Sequence, residues 1–307
     1  MKKKNNKKYF VVSDIHGFYL EFHSALIQAG WQRNNRNHIL VVLGDIFDRG
    51  TENWLVYKFI RSIPKTRRIL IRGNHEGLLL RAIDKKKVSE VDYYNGTAAA
   101  ILELACEGSY EKMSALYKSC YQSKTDNKRI DLNDFSTASP HTLACSKPIM
   151  KEICDWIKSD EWKEFYEIDK FIFVHCFIPI NVTYPSGVYG LTLEGYKEFC
   201  KPIKDWRKSA DEAEWYDAKW GCPYKEFSAG LFDEELENGK VLVCGHWSAC
   251  DFHRFFDHEN EQNDSIYFSK NLIALDGRTA ASHQVNVLVI DEEYNCYDKE
   301  GNKLESK

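Results

Sequence analysis

The sequence predicts an α/β protein, and three features of the chain support this fold class. Short apolar runs without alternation recur along it, as is typical of strands that are covered on both faces. Between the first of these runs, residues 18–29 and 54–63 place apolar side chains at the i, i+3 and i+4 positions of amphipathic helices. Each apolar run also ends in polar or ionisable residues. Strands and helices that alternate in this way favour an α/β architecture.

Five of the predicted strands end in side chains that could carry chemistry. They are residues 9–12 before Asp14 and His16, 39–43 before GDIFDRG (44–50), 69–71 before GNHE (73–76), 171–174 before His175, and 241–244 before His246. In α/β sheets the functional groups gather outside the carboxyl ends of the strands. We therefore expect the five clusters to form one site.

The remaining segments predict helices between His75 and His175 and strands near the end of the chain. Helical spacing is clearest at 78–83, 96–104 and 149–165, and strands are expected at 272–276, 285–291 and 294–298. Residues 180–238 are rich in aromatic side chains and predict either a helical flank with its own small core or a cap that selects the substrate. We expect one domain over residues 1–307, with a helical insertion at about 77–170 and this cap-like segment at about 180–238.

The composition excludes several classes of protein. The 307 residues carry a net charge of −4, which gives no general reason to expect a nucleic acid as partner. No apolar run approaches about 18 residues, so neither a transmembrane helix nor a membrane partner is expected. The basic start of the chain lacks the apolar core and cleavage site of a secretory signal, which predicts a cytoplasmic protein. The ten cysteines form no CxxC pair and are expected to be reduced and mostly buried.

Six side chains of these clusters are oxygen or nitrogen donors that can bind divalent metal ions: Asp14, His16, Asp45, Asn74, His175 and His246. With no thiolate among them, the set suits Mn²⁺, Fe, Zn²⁺ or a mixed pair. Six ligands are too many for one tetrahedral ion, whereas two ions about 3.5–4 Å apart that share one carboxylate would use them all. Two such ions can activate a shared water and hold the oxygens of a phosphoryl group, which implies in-line displacement at phosphorus by a metal-bridging hydroxide.

Three further side chains of the same motifs suit the hydrolysis of a phosphoester. Arg49 offers a planar guanidinium for bidentate contact with phosphate oxygens. His75 can protonate a departing alkoxide if Asp48 holds its ring and raises its pKa. The clusters therefore contain the parts of a phosphomonoester hydrolase.

The motifs DIH, GDIFDRG and GNHE, followed by two histidines at later strand ends, resemble those of the calcineurin-like metallophosphoesterases. The DRG and GNHE forms are similar to the phosphoprotein phosphatase branch, which includes bacteriophage lambda-type and bacterial serine/threonine phosphatases and symmetrical diadenosine tetraphosphatases. The resemblance covers about three quarters of the chain, from Asp14 to His246. It implies a single calcineurin-like domain with the family's four-layer sandwich, in which helices flank two mainly mixed β-sheets, here with helical insertions.

The resemblance also implies a role for each motif residue. The first metal ion would be bound by Asp14 and His16, both ions by Asp45, and the second by Asn74, His175 and His246. The phosphate would be bound by Arg49 and Asn74, and the acid would be His75 held by Asp48. The family usually has a second phosphate-binding arginine between the last two histidines, for which Arg207 and Lys219 are the candidates. Mn²⁺ is the expected metal, with Fe, Zn²⁺ or Ni²⁺ as alternatives.

The sequence departs from the family pattern beside two of the predicted ligands. Small residues often follow the histidine of the fourth cluster, whereas Cys176 and Phe177 follow His175 here. Trp247 follows His246, where the family often has Thr or Gln. Both changes add bulk beside the predicted metal ions.

The sequence thus predicts a metal-dependent phosphatase of the serine/threonine protein phosphatase type, acting on a phosphorylated protein or a small phosphoester. A second hypothesis keeps the chemistry and changes the substrate. In it, Phe177, Trp247 and the aromatic segment stack a base, as would suit a diadenosine tetraphosphatase or another enzyme acting on nucleotides or nucleic-acid ends. A third hypothesis is a non-catalytic binding protein that kept the fold. The sequence indicates no oligomeric state.

Overall fold

Two mixed β-sheets form the centre of the computed structural model, which describes residues 7–122, 139–185 and 187–305. The strands are β1 (Lys8–Val12), β2 (His38–Val42), β3 (Arg68–Ile71), β4 (Trp162–Lys163), β5 (Phe165–Ile168), β6 (Phe171–Val174), β7 (Ile180–Val182), β8 (Cys200–Pro202), β9 (Val241–Ser248), β10 (Tyr267–Phe268), β11 (Leu272–Asp276), β12 (Leu288–Ile290) and β13 (Cys296–Tyr297). The first sheet has the order β13-β12-β1-β2-β3-β4 and the second the order β10-β11-β9-β6-β5, while β7 pairs with β8.

Parallel pairing dominates the middle of each sheet. Strands β1 to β4 run parallel in the first sheet, and β6, β9 and β11 run parallel in the second. The outer neighbours β12, β13, β5 and β10 pair antiparallel. Parallel strands bring their carboxyl ends to one edge, so the loops that carry the motifs start side by side.

Helices cover the outer faces of both sheets. They are α1 (Tyr19–Gln28), α2 (Asn53–Ser62), α3 (Asn74–Asp84), α4 (Glu90–Tyr94), α5 (Thr97–Ala105), α6 (Tyr110–Gln122), α7 (Pro140–Cys145), α8 (Pro148–Lys158), α9 (Leu193–Phe199), α10 (Trp206–Ser209), α11 (Glu212–Ala218), α12 (Pro223–Ser228), α13 (Ala249–Phe252) and α14 (Thr279–Ser282). A 3₁₀ turn at Lys65–Arg67 precedes β3, and a π-helical turn at His253–Asp257 follows α13.

Strand β1 illustrates how the layers stack. Tyr9 and Val11 lie in a core shared with residues of β2, β6, β9 and β11, between the two sheets. Phe10 and Val12 lie in a second core with α1, α2, α5 and α8, because side chains alternate along a strand. A third core lies between the second sheet and helices α9 to α13. The predicted α/β fold with two mixed sheets flanked by helices is confirmed.

Most predicted elements agree with the structure, and one does not. The helices predicted at 18–29 and 54–63 correspond to α1 and α2. The helix predicted at 149–165 is wrong in its second half, because α8 ends at Lys158 and Trp162 pairs with Leu70 in the first sheet. Trp162 continues the apolar spacing of α8 in the sequence, but it lies in β4, where its side chain is buried.

The predicted domain boundaries fall among these elements as follows. Helices α3 to α8 lie at the predicted helical insertion and α9 to α12 in the predicted cap-like segment. Residues 123–138 of the insertion and residue 186 of the cap-like segment lie outside the described residues. The single domain and its boundaries stay predictions.

Burial accords with the expectation from composition. All ten cysteines are buried. Within the described ranges, no helix combines the length and the apolar character that crossing a bilayer requires.

Candidate metal centre

The five predicted clusters meet at one edge of the two sheets. In the first sheet the His16 amide donates to the carbonyl of Asp45 (2.9 Å), and in the second the Gly245 amide donates to the carbonyl of His175 (2.7 Å). The His246 amide donates to the carboxylate of Asp14 (2.9 Å) and so joins the two sheets. The structure therefore brings the six predicted ligands together.

Asp45 lies at the centre of the cluster. Its Oδ2 is 3.8 Å from Nε2 of His16, 3.9 Å from Nε2 of His75 and 3.6 Å from Nε2 of His175. Its Oδ1 accepts a hydrogen bond from the His75 amide (3.0 Å), which fixes the orientation of the carboxylate. One carboxylate thus faces several nitrogen donors, as a carboxylate shared by two ions must.

Backbone carbonyls orient two of the imidazoles. Nδ1 of His16 lies 3.0 Å from the carbonyl of Phe47, and Nδ1 of His175 lies 2.7 Å from the carbonyl of Leu43. A carbonyl only accepts, so each Nδ1 carries the hydrogen and each Nε2 presents a lone pair to the centre. This is how proteins usually hold a metal-binding histidine.

The donors around His175 have the spacing of ligands on one ion. Its Nε2 is 2.8 Å from Oδ1 of Asn74, 3.2 Å from Nδ1 of His246 and 3.6 Å from Oδ2 of Asp45. Ligands at about 2.1 Å from one ion lie about 3.0–3.4 Å apart at right or tetrahedral angles. These four side chains therefore fit a divalent ion.

The donors around His16 are spaced more widely. Its Nε2 lies 3.9 Å from Oδ1 of Asp14 and 3.8 Å from Oδ2 of Asp45. Two ligands on opposite sides of an ion are separated by at most about 4.2 Å when each bond is about 2.1 Å long. The other oxygen of Asp14 accepts hydrogen bonds from the Ser13 hydroxyl and the His246 amide, which holds Oδ1 toward His16.

Buried carboxylates lie close together at this edge of the sheets, and their mutual repulsion favours the binding of cations there. Burial raises the pKa of Asp14 well above its usual range, and the charges of Asp276 and Asp45 raise it further. Burial alone would also raise the pKa of Asp45, but the nearby histidines, His175 first, lower it. Bound cations offset repulsion between buried carboxylates. Donor chemistry, spacing and charge all fit a pair of divalent ions.

The backbone of the motifs is strained. Six of the predicted site residues have positive φ: Asp14 (51°), His16 (49°), Asp45 (53°), Asp48 (77°), Arg49 (60°) and His246 (68°). The left-handed region costs a residue with a Cβ about 1–2 kcal/mol, and such strain concentrates at functional sites. Gly44 (φ 90°) permits the close approach of two loops, because a Cβ there would lie 2.5 Å from the amide nitrogen of Gly73.

His75 and Asp48 form a hydrogen-bonded pair beside the six donors. Nδ1 of His75 lies 2.7 Å from Oδ2 of Asp48, and Nε2 lies 3.3 Å from Nη2 of Arg49. The hydroxyl of Thr97 donates to the same Oδ2 (2.5 Å), and the Asp48 amide donates to Oδ1 of Asn53 (2.8 Å). The ring of His75 is thus held on one side, and its other nitrogen faces the exposed Arg49.

The pKa of His75 shifts in the opposite direction from the others. Burial lowers the pKa of the three histidines predicted as ligands, which are His16, His175 and His246 (the last to about 3). Burial would lower the pKa of His75 too, but the charge of Asp45 and the hydrogen bond with Asp48 raise it. A neutral imidazole can bind a metal, whereas a protonated one can donate a proton. His75 therefore fits an acid better than a ligand, although it lies as close to Asp45 as His16 does.

Arg207 is engaged in ion pairs of its own. It donates to Glu167 (2.5 Å) and to Glu237 (2.5 Å). Glu167 pairs with Ile172, three residues before His175 along β6. The structure therefore does not bring Arg207 into the cluster of predicted ligands.

Lys219 lies closer to the cluster. It donates to Glu164 (2.9 Å), which directly precedes the residue paired with Val174 at the carboxyl end of β6. Its charge contributes to the lowered pKa of His175, after burial and the charge of His75. Its part in binding phosphate stays a prediction.

The bulky residues that follow the two later histidines lie in different environments. Phe177 is 1% exposed in the core outside the second sheet, so it cannot stack a base. Trp247 donates its indole N–H to the carbonyl of Gly221 (2.8 Å) and lines a cleft of about 540 Å³ together with His246. Trp220 lines the same cleft, with its ring centroid 6.2 Å from that of His246.

Two carboxylates at the centre received no role from the sequence. Glu76 is buried and accepts hydrogen bonds from the amides of Asp45 (3.0 Å), Ile46 (3.0 Å) and Gly73 (2.7 Å), which ties the loops after β2 and β3. Asp276 ends β11, and burial is the main reason that its pKa is raised to about 6. Asp276 carries the same signal as the five clusters, an apolar strand that ends in a polar residue.

The family model described as calcineurin-like phosphoesterase matches residues 7–250. The symmetrical bis(5'-nucleosyl)-tetraphosphatase of Wigglesworthia glossinidia brevipalpis is 36% identical over 89 residues, which are 27% of this chain and 30% of that protein. Shewanella-like protein phosphatase 1 of Plasmodium berghei is 38% identical over 88 residues, or 25% and 24% of the two chains. The matched region thus spans a third or less of these relatives. The solved cold-active protein-tyrosine phosphatase of a psychrophilic Shewanella shares the fold, with a TM-score of 0.51 and 18% identity over 98% of this chain and 80% of that one.

Proposed function

The chain belongs to the calcineurin-like phosphoesterases, and we propose that it is a metal-dependent phosphatase of phosphomonoesters whose substrates are phosphoserine and phosphothreonine in proteins. One observation carries the proposal. The carboxylate of Asp45 lies within 3.9 Å of three imidazole nitrogens, beside the pair of His75 and Asp48. The proposed metal ligands and the proposed proton donor therefore lie around one point.

The ions would be held by two groups of ligands that share Asp45. The first group is Asp14 and His16, and the second is Asn74, His175 and His246. Mn²⁺ is the ion that we propose, since it accepts both carboxylate and imidazole ligands, with Fe, Zn²⁺ and Ni²⁺ as alternatives. Such ions, when bound, lower the pKa of a water molecule and neutralise charge on phosphoryl oxygens.

The protein's own groups would bind the phosphate and supply the proton. Arg49 is exposed and directs Nη2 to within 3.3 Å of Nε2 of His75, so a phosphate bound to Arg49 would lie close to that nitrogen. His75 would donate the Nε2 proton to the leaving oxygen while Asp48 holds Nδ1. Asn74 would contact both an ion and the phosphate, and Lys219 is the better placed of the two further basic candidates.

The choice of a protein substrate is supported by one relative and by the burial of Phe177. Shewanella-like protein phosphatase 1 of Plasmodium berghei is among the relatives with the higher identity over the matched region. The burial of Phe177 removes one of the aromatic contacts on which the base-stacking hypothesis depended. These points favour the protein phosphatase type.

A dinucleoside polyphosphate is the second candidate substrate, and Trp220 is the observation that favours it. This partly exposed indole lines the cleft of about 540 Å³ that reaches His246, so a base could stack on it while a phosphate lies on the ions. The symmetrical bis(5'-nucleosyl)-tetraphosphatase of Wigglesworthia supports the same reading.

A substrate panel tests the proposal. The purified chain with Mn²⁺ is assayed with a phosphoserine or phosphothreonine peptide, a phosphotyrosine peptide and diadenosine tetraphosphate, and kcat/KM is compared. We expect the first class to be preferred by about tenfold or more. Chelation of the metal should abolish all three activities. Preference for the dinucleotide, together with a selective loss of that activity in Trp220→Leu, would establish the second candidate instead.

A non-catalytic binding protein is the remaining outcome. It would be indicated if no substrate of the panel, and no chromogenic phosphomonoester, were turned over by protein that binds Mn²⁺. That result would overturn both candidate activities at once.

A further inference from the structure

A cleft rich in arginine lies at the opposite end of the strands from the metal centre. It has a volume of about 640 Å³ and is lined by residues from the loop before β2 and the connection before β3. Its polar and charged lining residues are Arg33, Asn34, Arg36, Ser62, Thr66 and Arg67. The five residues of β2 separate it from the centre by about 16 Å, at a rise of about 3.3 Å per residue. We call it the arginine cleft.

Arg67 is the buried member of the arginine cleft. It is 8% exposed, and its guanidinium lies over the ring of Trp31 at 5.5 Å. Nε donates to the carbonyl of His38 (3.2 Å) and Nη1 to the carbonyl of Arg33 (2.7 Å). Nη2 is buried and has no hydrogen-bond partner in the part of the chain that the structure describes. The charge is thus held in place by neutral groups alone.

No acidic residue lines the arginine cleft, among the residues that the structure describes. Burial lowers the pKa of Arg67, and no carboxylate in the described part of the chain opposes that effect. The charges of Lys8 and Arg67, after burial, also lower the pKa of His38. Arg33 and Arg36, both exposed, add two further positive charges at the rim.

A buried guanidinium normally has an anionic partner, because an unpaired charge away from water is costly. Here residues 7–122, 139–185 and 187–305 supply no such partner, whereas the cleft is large enough for a small organic molecule. The exposed Arg33 and Arg36 can each pair with phosphate through two parallel hydrogen bonds, while the buried charge of Arg67 attracts an anion to the cleft. The hydroxyl and amide groups of the lining can complete such a site. We propose that the arginine cleft binds the phosphate group of a small phosphorylated molecule, separately from catalysis.

Calorimetric titration of the chelator-treated 307-residue chain with methylenediphosphonate, a diphosphate that cannot be hydrolysed, tests this proposal. We expect one binding site. The double variant R33Q/R36Q should weaken binding by about tenfold or more, since each charged hydrogen bond to the anion contributes strongly. R67Q should do the same. R254Q, which removes a half-exposed arginine near Asp251 elsewhere on the surface, is the matched control and should bind as the unchanged chain does.

Two further arms make the result decisive. Inorganic phosphate and adenosine 5'-monophosphate, titrated in parallel, distinguish a site for free phosphate from one for a nucleotide. R33Q/R36Q changes exposed side chains only, so it should fold and keep its activity toward a chromogenic phosphomonoester even if R67Q does not fold. Absence of binding, or binding that R33Q/R36Q leaves unchanged and R49Q abolishes, would overturn the proposal.

Discussion

The two ends of β2 and β3 are built in opposite ways. At the carboxyl ends, Asp45 and Asp48 are buried in left-handed backbone, and buried carboxylates lie close enough to repel one another. At the amino ends, Arg68 lies in ordinary extended backbone (φ −133°, ψ 142°). It donates to the carbonyls of Ile60 (2.8 Å) and Ile63 (2.7 Å) and forms an ion pair with Glu161.

We infer from this contrast that the carboxyl ends of β2 and β3 serve catalysis and that the amino ends serve stability. The carboxyl ends hold groups in positions that they would not adopt alone, which is the usual condition of a preorganised site. The Arg68–Glu161 ion pair at the amino ends ties β3 to the segment before β4. Substitutions at the carboxyl ends should therefore change the rate, and substitutions of that pair should change the stability.

Asp45→Asn should have the largest effect. It removes the carboxylate that faces His16 and His175, so binding of both ions should be lost and kcat/KM should fall by about 10³-fold or more, the scale of losing a preorganised electrostatic group. Metal content after dialysis against Mn²⁺ and the rate with a phosphopeptide measure the two effects. Asp160→Asn, at an exposed aspartate beside β4, is the control and should change neither. An Asp45→Asn protein that retains two ions would contradict the shared carboxylate.

His75→Asn should keep the ions and lose the acid. For a phosphoserine peptide we expect kcat to fall by about 10²–10⁴-fold, the usual contribution of a positioned acid. The loss should be much smaller for p-nitrophenyl phosphate, because its leaving group departs without a proton. An equal loss for both substrates would argue against an acid, and loss of metal would make His75 a ligand.

Glu161→Gln should lower stability and leave the rate unchanged. The side chain of Arg68 is 3% exposed, and removal of the charge of Glu161 leaves it without an anionic partner. Loss of one partner of a buried pair costs about 3–5 kcal/mol in the free energy of unfolding. Urea denaturation measures this. Asp155→Asn breaks the exposed pair with Lys151 and should cost less than about 0.5 kcal/mol.

The pH dependence of stability sharpens this prediction. Burial would raise the pKa of Glu161, but hydrogen bonds from Lys65 and Arg68 lower it from 4.5 to about 2. A carboxylate whose pKa is lowered by folding stabilises the protein above its unfolded pKa, and this contribution is lost as the pH falls toward the folded value. Between pH 4.5 and 2 the unchanged protein should therefore lose stability that Glu161→Gln, which lacks the carboxylate, does not lose. Parallel pH profiles of the two proteins would contradict the assignment.

The sequence predicts the strand ends because their signal is local. A buried strand is an apolar run, and the residues after it must be polar if they line a site, so the clusters from Asp14 to His246 can be read directly. Motif resemblance then supplies the roles. The same local signal marks Asp276, which ends β11 and raises the pKa of Asp14.

The remaining features depend on contacts between residues that lie far apart in the sequence, so local patterns do not predict them. Phe177 lies two residues after His175, a proposed ligand, yet its side chain is buried in the core. Trp162 matches a helical spacing but completes the edge of a sheet, because pairing with β3 outweighs local periodicity. Arg207 lies between the later histidines, where a phosphate-binding residue is expected, but it forms ion pairs with two glutamates instead. Each case is decided by tertiary contacts.

Thr97→Val should have the smallest effect, and it tests how far preorganisation extends. Thr97 begins α5, 49 residues from Asp48, and its buried hydroxyl donates to the oxygen that holds His75. The other oxygen of Asp48 is buried without a hydrogen-bond partner among the described residues, so this hydroxyl is a main restraint on the carboxylate. Valine has the same shape without the donor, so kcat should fall by about tenfold while KM stays constant.

Thr97→Ser separates the hydroxyl from the methyl group. Serine keeps the donor, so the rate should return close to that of the unchanged protein, although the small cavity costs some stability. If serine and valine were equally slow, packing of the methyl group would set the geometry instead. If valine were as fast as threonine, the pair of His75 and Asp48 would hold its position without support from α5. The residues of the strand-end motifs would then be sufficient to position the acid.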